Sequence, residues 1–79
     1  MRFFLTKPSD GQRGAMGKRK MYEIFQADKT VIIEYGMLER GENHSEMKEF
    51  DCENSAKEFA LDKYYSKVKK GYEVIEKVW

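Results

Sequence analysis

The segment DCENSAKEFALDKYYSKVKKG, residues 51–71, decides the fold class, because its apolar residues recur at three- and four-residue intervals. That spacing is typical of one face of an α-helix. Acidic residues stand near its start and lysines near its end, where the helix dipole favours each sign of charge. Asp51 is a suitable N-cap and Gly71 a suitable residue to follow the last turn. The segment therefore predicts a helix over about 52–70, with a buried face formed by Ala56, Phe59, Ala60, Tyr64 and Val68.

The chain before this helix consists of strand-like segments joined by short polar turns. They are RFFLTK (2–7), KMYEIFQA (20–27), TVIIEYGML (30–38) and HSEMKEF (44–50). Consecutive strands with short connections predict an antiparallel meander. After the helix, YEVIEKVW (72–79) alternates again and predicts a last strand or an extended tail. We expect one α+β domain over 1–79, a twisted antiparallel sheet of four to five strands with one helix packed on one face.

The composition limits the classes of protein to consider. The 79 residues include 15 Lys and Arg against 14 Asp and Glu, so binding to nucleic acid would require the positive charges to be segregated on one surface. A single cysteine, Cys52, excludes an internal disulfide and favours a reducing compartment. No apolar run approaches the ~20 residues of a membrane span. The sequence predicts an intracellular protein, in the cytoplasm or in the nucleoid or nucleus, with no membrane partner.

The segment GQRGAMGKRK, residues 11–20, contains three glycines and four basic residues but no acid. Its glycine content predicts a mobile basic loop. The basic residues could follow a phosphate backbone together with cations from the later turns and strands. The alternative is an ordinary solvated loop. The candidate phosphate contacts are Arg13, Lys18, Arg19, Lys20, Arg40 and Lys48.

Tyr35 and Gly36 lie near the end of the most β-prone segment of the chain. Glycine inside a strand usually marks a bulge or a close approach by another molecule. We expect a bulge that turns Tyr35 toward the face of the sheet that the helix leaves open. There the ring would either stack on a base or pack across the sheet as an ordinary strand aromatic. Met37 follows on the same side of the strand as Tyr35.

A stripe of lysines at i, i+4 and i+7 follows one side of the predicted helix, formed by Lys63, Lys67 and Lys70. It could be a second basic strip for nucleic acid. Alternatively, the aliphatic stems cover the rim of the core while the ammonium groups remain in water.

The sequence contains no arrangement typical of catalysis. His44 is the only histidine, and with Cys52 it offers too few ligands for a structural zinc site. GQRGAMG lacks the Lys-Ser/Thr ending of a phosphate-binding P-loop. We therefore expect no enzyme activity, no metal and no cofactor.

The order of several short motifs resembles the WGR domain, a small module found in some poly(ADP-ribose) polymerases and in bacterial proteins. MRFF resembles the opening strand of that family, and a basic loop leads into KMYEI. EYGM stands where the Trp-Gly-Arg signature falls at the end of a strand. GENHSEMKEF resembles the Gly-Gln turn with the Lys-x-Phe that closes the next strand. SAKEF and KVKKGY resemble the helix motif and the basic Gly-Tyr at its end, so the resemblance extends over about 2–72.

The resemblance implies a non-catalytic binding module, since the Trp and Arg of the signature help some polymerases of the family to hold the end of a DNA strand. Here Tyr35 keeps a flat ring at the Trp position, whereas Met37 replaces the Arg. The first hypothesis is association with nucleic acid, DNA above all, through the open sheet face and the basic loop. The alternative is a protein–protein adaptor that uses the same face, because methionine is common at adaptable contact surfaces.

Overall fold

The computed structural model describes residues 1–8, 19–37 and 43–79 of the chain. These residues form five strands and one helix. The strands are β1 (Arg2–Pro8), β2 (Arg19–Ala27), β3 (Thr30–Met37), β4 (Asn43–Glu49) and β5 (Glu73–Val78), and helix α1 (Glu53–Lys69) lies between β4 and β5 in sequence.

The five strands form one antiparallel sheet in the order β4-β3-β2-β1-β5. The first four strands follow one another as a meander, and the last strand pairs with the free edge of β1. Helix α1 packs on the sheet over β2 and β3. This arrangement confirms the predicted α+β fold, and it resolves the segment after the helix as a strand.

The core lies between the helix and the sheet face that it covers. Because strand side chains alternate, every second residue of each strand points toward the helix. Small residues at two successive turns of α1, Ala56 and Ala60, are fully buried and allow the helix to approach the sheet closely. The buried cluster consists of Phe3, Leu5, Tyr22, Ile24, Val31, Ile33, Ala56, Ala60 and Tyr64. Phe3 stacks on Tyr64 with ring centroids 4.2 Å apart.

The two ends of α1 differ in how well the sequence predicts them. Cys52, and not Asp51, is the N-cap, and its side chain makes no capping hydrogen bond. The C-terminus behaves as predicted, with Gly71 at a positive φ of 98°. Gly71 N donates to Val68 O at 3.0 Å and Tyr72 N donates to Lys67 O at 3.1 Å. These two bonds are those of a Schellman motif, which fixes the direction in which the chain leaves the helix.

One residue of the predicted helix face does not lie in the core. Val68 is 39% exposed, and the buried residues of α1 are Ala56, Ala60 and Tyr64. The buried face of α1 therefore ends at Tyr64. No helix among the described residues is long and apolar enough to cross a membrane.

The bulge predicted at Gly36 is absent from the structure, and this changes the position of Tyr35. Gly36 pairs in unbroken register with Met21 on one side and Asn43 on the other, in extended backbone. Tyr35 therefore keeps the alternation of Val31 and Ile33 and points to the face that the helix covers, not to the open face. Among the described pairings, the register shift falls between Phe4 and Leu5, opposite β5.

Candidate functional site

A groove of about 430 Å³ lies on the helix-covered face of the sheet, beside the C-terminal half of α1. We call it the tyrosine groove. Strands β2 and β3 form its floor, α1 forms one wall, and the segment after the helix closes one end. It is lined by Lys20, Met21, Tyr22, Tyr35, Gly36, Met37, Glu46, Lys63, Lys67 and Tyr72.

Aromatic side chains line the floor of the tyrosine groove. Tyr22, Tyr35 and His44 are register partners on three adjacent strands, so their side chains stand side by side on one face. The ring centroids of Tyr22 and Tyr35 are 6.2 Å apart with an interplanar angle of 29°. Those of Tyr35 and His44 are 5.3 Å apart at 30°. Tyr22 is 7% exposed whereas Tyr35 is 36% exposed, so it is the Tyr35 ring that offers free surface.

Tyr72 adds a third tyrosine to the tyrosine groove from the end of the helix. Its ring centroid lies 6.1 Å from that of Tyr22, with the planes at 61°. The position depends on the Schellman motif, because Tyr72 is the residue whose N–H bonds back to Lys67 O. The turn after α1 therefore places an aromatic ring against the sheet.

Two lysine side chains pass over these rings. Lys67 Nζ lies 4.5 Å from the centroid of Tyr22 and 5.7 Å from that of Tyr72. Lys7 Nζ lies 5.6 Å from the centroid of Tyr72 and donates a hydrogen bond to Lys70 O at 2.9 Å. A cation above a tyrosine face is attracted by the ring quadrupole. The rings thus help to hold positive charge at the wall of the groove.

Lysines from three parts of the chain converge on Lys67. Burial lowers the pKa of Lys67, and repulsion from neighbouring lysines lowers it further; in order of size these neighbours are Lys70, Lys63, Lys20 and Lys7. Close cations oppose one another's protonation, so a bound anion would relieve that repulsion. Positive charge is therefore concentrated around Lys67 at the wall of the tyrosine groove.

Among the described residues that line the tyrosine groove, Glu46 is the one carboxylate. It lies on β4 opposite Ile33 and faces Tyr22 from across the sheet. Burial is the main cause that raises the pKa of Tyr22 to about 12, and the negative charge of Glu46 adds to it. The folded protein therefore favours the neutral phenol of Tyr22 over the phenolate more strongly than water does.

The predicted site residues lie in three places: on the helix-covered face of the sheet, on the opposite face, and outside the described residues. Lys20, Tyr35, Gly36 and Met37 all line the tyrosine groove. Lys48 lies on the same sheet face, and its Nζ is 4.9 Å from the Phe59 ring, which Lys63 also covers at 5.4 Å.

Arg19 lies on the opposite face of the sheet. Its guanidinium donates to Thr6 Oγ1 at 3.1 Å, and its Nη2 lies 3.3 Å from Glu73 Oε1. The remaining predicted contacts, Arg13, Lys18 and Arg40, are outside the described residues.

Sequence reasoning missed several residues that form the tyrosine groove. The sequence predicts Tyr22 within a strand and Tyr72 at the start of the last segment, with no binding role for either. Lys63 and Lys67 belong to the predicted lysine stripe, and these two lysines line the wall of the groove. Strand alternation would have indicated the groove. Tyr22 lies on the same side of its strand as Ile24, and Tyr35 lies on the same side of its strand as Ile33.

No group of three or more potential metal ligands occurs among the residues that the structure describes. Comparisons of the chain with protein-family models, with curated proteins and with solved structures find no match.

Proposed function

We propose that this protein is a non-catalytic nucleic-acid-binding module of WGR type, whose contact surface is the tyrosine groove. The observation that carries the proposal is the convergence of lysines from β1, β2 and α1 around a row of tyrosine rings. Lysine charge suits a phosphate backbone, and flat rings suit unstacked bases. The sequence alone did not indicate that the lysines and the tyrosine rings lie next to each other.

The lysines would contact successive phosphates of one strand. Lys20 lies on the sheet that forms the floor of the groove, and Lys63 and Lys67 lie on the helix that forms its wall. A strand lying in the groove would meet cations from both. Each neutralised phosphate releases a counterion, so the affinity should fall steeply with salt.

Tyr35 would supply the stacking surface. Its ring is 36% exposed, and Tyr22 and His44 support it from the two neighbouring strands. A base stacked on such a ring contributes about 1–3 kcal/mol. Because bases are accessible for stacking only when unpaired, the proposal favours a single strand or the end of a duplex over continuous duplex.

The connections that carry further basic residues join the sheet at the same end. Lys7, Lys20 and Met37 are aligned in register where β1, β2 and β3 reach 9–18 and 38–42. The proposal therefore includes Arg13, Lys18 and Arg40 as additional phosphate contacts. The resemblance to WGR domains supports the same end of the sheet, since EYGM occupies the position of the signature there.

A second candidate function is a protein adaptor that uses the same groove. Met37 and Glu46 line it beside the tyrosines. A flexible thioether and a carboxylate suit a protein contact better than a phosphate. The two candidates differ in how their affinity depends on salt and on single charges.

Titration of fluorescein-labelled single-stranded, nicked and blunt duplex DNA at about 50 and 200 mM salt tests the proposal. From the contacts of Lys20, Lys63 and Lys67 alone, we expect the affinity for single strands to fall at least about 20-fold between these conditions, and the additional contacts would steepen the loss. Lys63→Glu should weaken the complex strongly. Lys69→Glu makes the same charge change on the exposed side of the same helix and should have a much smaller effect.

Absence of a complex at the lower salt would overturn nucleic-acid binding and leave the adaptor as the function to pursue. Equal losses from Lys63→Glu and Lys69→Glu would show that binding responds to net charge and not to the groove.

A further inference from the structure

The sheet face that α1 leaves uncovered carries a row of apolar side chains that crosses the strands. Met47, Ile32 and Phe25 are register partners on β4, β3 and β2, and Arg2 and Val78 continue the row on β1 and β5. Met47 is 67% exposed, Phe25 41% and Val78 53%. A contiguous apolar row of this kind on a sheet surface is typical of a contact site.

Arg2 does not interrupt this row with its charge. Its Nε donates to Glu23 Oε2 at 2.7 Å, and its Nη1 is paired with Glu76. Both carboxylates belong to the next row of the sheet, so the guanidinium is drawn off the apolar row while the stem remains on it. Phe25 and Ile32 also form a shallow groove of about 170 Å³ with Glu23 and Glu34.

The uncovered face is acidic. Its cations on the described strands, Arg2 and Arg19, are both ion-paired to carboxylates of the same face. Carboxylates outnumber them, and Glu34 and Glu49 flank the apolar row on its two sides. The face carries Glu23, Glu34, Glu49, Glu73 and Glu76, and we call it, with its apolar row, the acidic face.

We propose that the acidic face docks a basic amphipathic helix of a partner protein. The helix would place its apolar side on Met47, Ile32 and Phe25, with lysines or arginines on the carboxylates to either side. Charge complementarity selects this occupant, since the acidic face would repel both a phosphate backbone and a second acidic face. The proposal is independent of the tyrosine groove, which lies on the other side of the sheet.

The dimensions of the acidic face agree with such a helix. Five strands at a spacing of about 4.8 Å span about 19 Å. A helix of about 13 residues has that length, with its apolar positions at i, i+3, i+4 and i+7. The module would then carry nucleic acid on one side and a basic protein segment on the other.

Two synthetic helical peptides of about 14 residues test the proposal. Both have leucine on one side; the other side carries lysine in the first peptide and glutamate in the second. Amide NMR shifts of the labelled protein should locate the lysine peptide on Phe25, Ile32 and Glu34. Fluorescence anisotropy should give an affinity for the lysine peptide at least about tenfold above that for the glutamate peptide.

Matched variants distinguish binding at the acidic face from a general effect of charge or hydrophobicity on binding. Glu34→Lys should weaken binding of the lysine peptide about tenfold, whereas Glu58→Lys on the exposed side of α1 should have little effect. Met47→Ser should weaken it several-fold, whereas Tyr65→Ser removes an exposed ring elsewhere and should not. None of the four side chains belongs to the buried core cluster, and circular dichroism verifies that each variant folds.

Equal affinity for the two peptides, shifts confined to the tyrosine groove, or no complex with either peptide would overturn the proposal. A concentration-dependent dimer that buries Phe25 and Ile32 would overturn it as well, because the occupant would then be a second copy of the chain.

Discussion

The ammonium nitrogen of Lys67 lies 4.5 Å from the centre of the Tyr22 ring, and together they join the end of α1 to the floor of the tyrosine groove. Contact with the ring stabilises this charge, whereas burial and neighbouring lysines oppose it. Replacing Lys67 by methionine removes both effects and keeps an unbranched side chain that is one atom shorter. We expect the free energy of unfolding to change by less than about 1 kcal/mol. Urea denaturation of both proteins measures it.

The same Lys67→Met variant should lose affinity for DNA. Removal of one charged phosphate contact should weaken the complex about tenfold and reduce the salt slope by about one. Lys69→Met is the matched control on the exposed side of α1. A Lys67→Met protein that bound DNA as tightly as the wild type would remove Lys67 from the proposed contacts.

Tyr35 should contribute to binding through its ring and not through its hydroxyl. We expect Tyr35→Ala to weaken binding of single-stranded DNA by about 1–3 kcal/mol and Tyr35→Phe to have little effect. Tyr65→Ala, which removes another exposed tyrosine ring, is the control. Anisotropy titrations at low salt measure the difference. A loss from Tyr35→Phe as large as that from Tyr35→Ala would indicate a hydrogen bond instead of stacking.

The raised pKa of Tyr22, about 12 against an ordinary value of 10.0, predicts how stability changes with pH. The folded state favours the neutral phenol, so this contribution is fully present below pH ~10 and is lost as the pH rises toward 12. We expect the free energy of unfolding to decrease across that range. Tyr22→Phe should lose less stability over the same interval. Denaturation at several alkaline pH values provides the comparison, and identical slopes for the two proteins would contradict it.

The same substitution, isoleucine to alanine, should lower the free energy of unfolding by different amounts at a buried and at an exposed position. Ile24 is fully buried in the core cluster, whereas Ile75 on β5 is 57% exposed. Ile24→Ala should lower the free energy of unfolding by about 2–5 kcal/mol. Ile75→Ala should lower it by about 0.5 kcal/mol or less. Thermal unfolding of the two variants measures both losses of stability. Similar losses would contradict the burial of Ile24 in the core.

Gly71 should be sensitive to substitution because of its backbone and not because of its surroundings. A Cβ there would meet Lys7 Cε at 3.9 Å, an ordinary contact, but φ is +98°. Gly71→Ala should therefore cost about 1 kcal/mol of stability. It should also weaken DNA binding, since the Schellman motif positions Tyr72. Lys69→Ala, on the exposed side of the last helical turn, is the control; equal effects would mean that the φ of Gly71 is not limiting.

The sequence predicts most of the fold because period and turn chemistry are local properties. The change to three- and four-residue spacing places the helix, and the two residues between the second and third predicted strands, Asp28-Lys29, form the turn from β2 to β3. The error about Tyr35 has a local cause as well. Glycine in a strand permits a bulge but does not require one, and at Gly36 the pairing continues on both sides. Adding or removing one bulge moves the side chain of every later residue in the strand to the opposite face of the sheet.

The tyrosine groove could be predicted only in part because it depends on distances between elements. Lys63 and Lys67 are visible in the sequence as a stripe, but their approach to Tyr22 follows from where α1 crosses the sheet. The position of Tyr72 follows from the direction in which the chain leaves Gly71. Neither the approach of these lysines to Tyr22 nor the position of Tyr72 can be predicted from the spacing of residues along a single helix or strand.

The pairing of β1 with both β2 and β5 has a consequence for how the chain acquires its structure. β1 is synthesised first, yet one of its two edges finds its partner only when residues 73–78 have left the ribosome. Until then that edge, which includes Leu5, presents unpaired backbone groups beside apolar side chains, and such edges template aggregation. Nascent chains stalled before β5 should therefore depend on chaperones more than the released protein does.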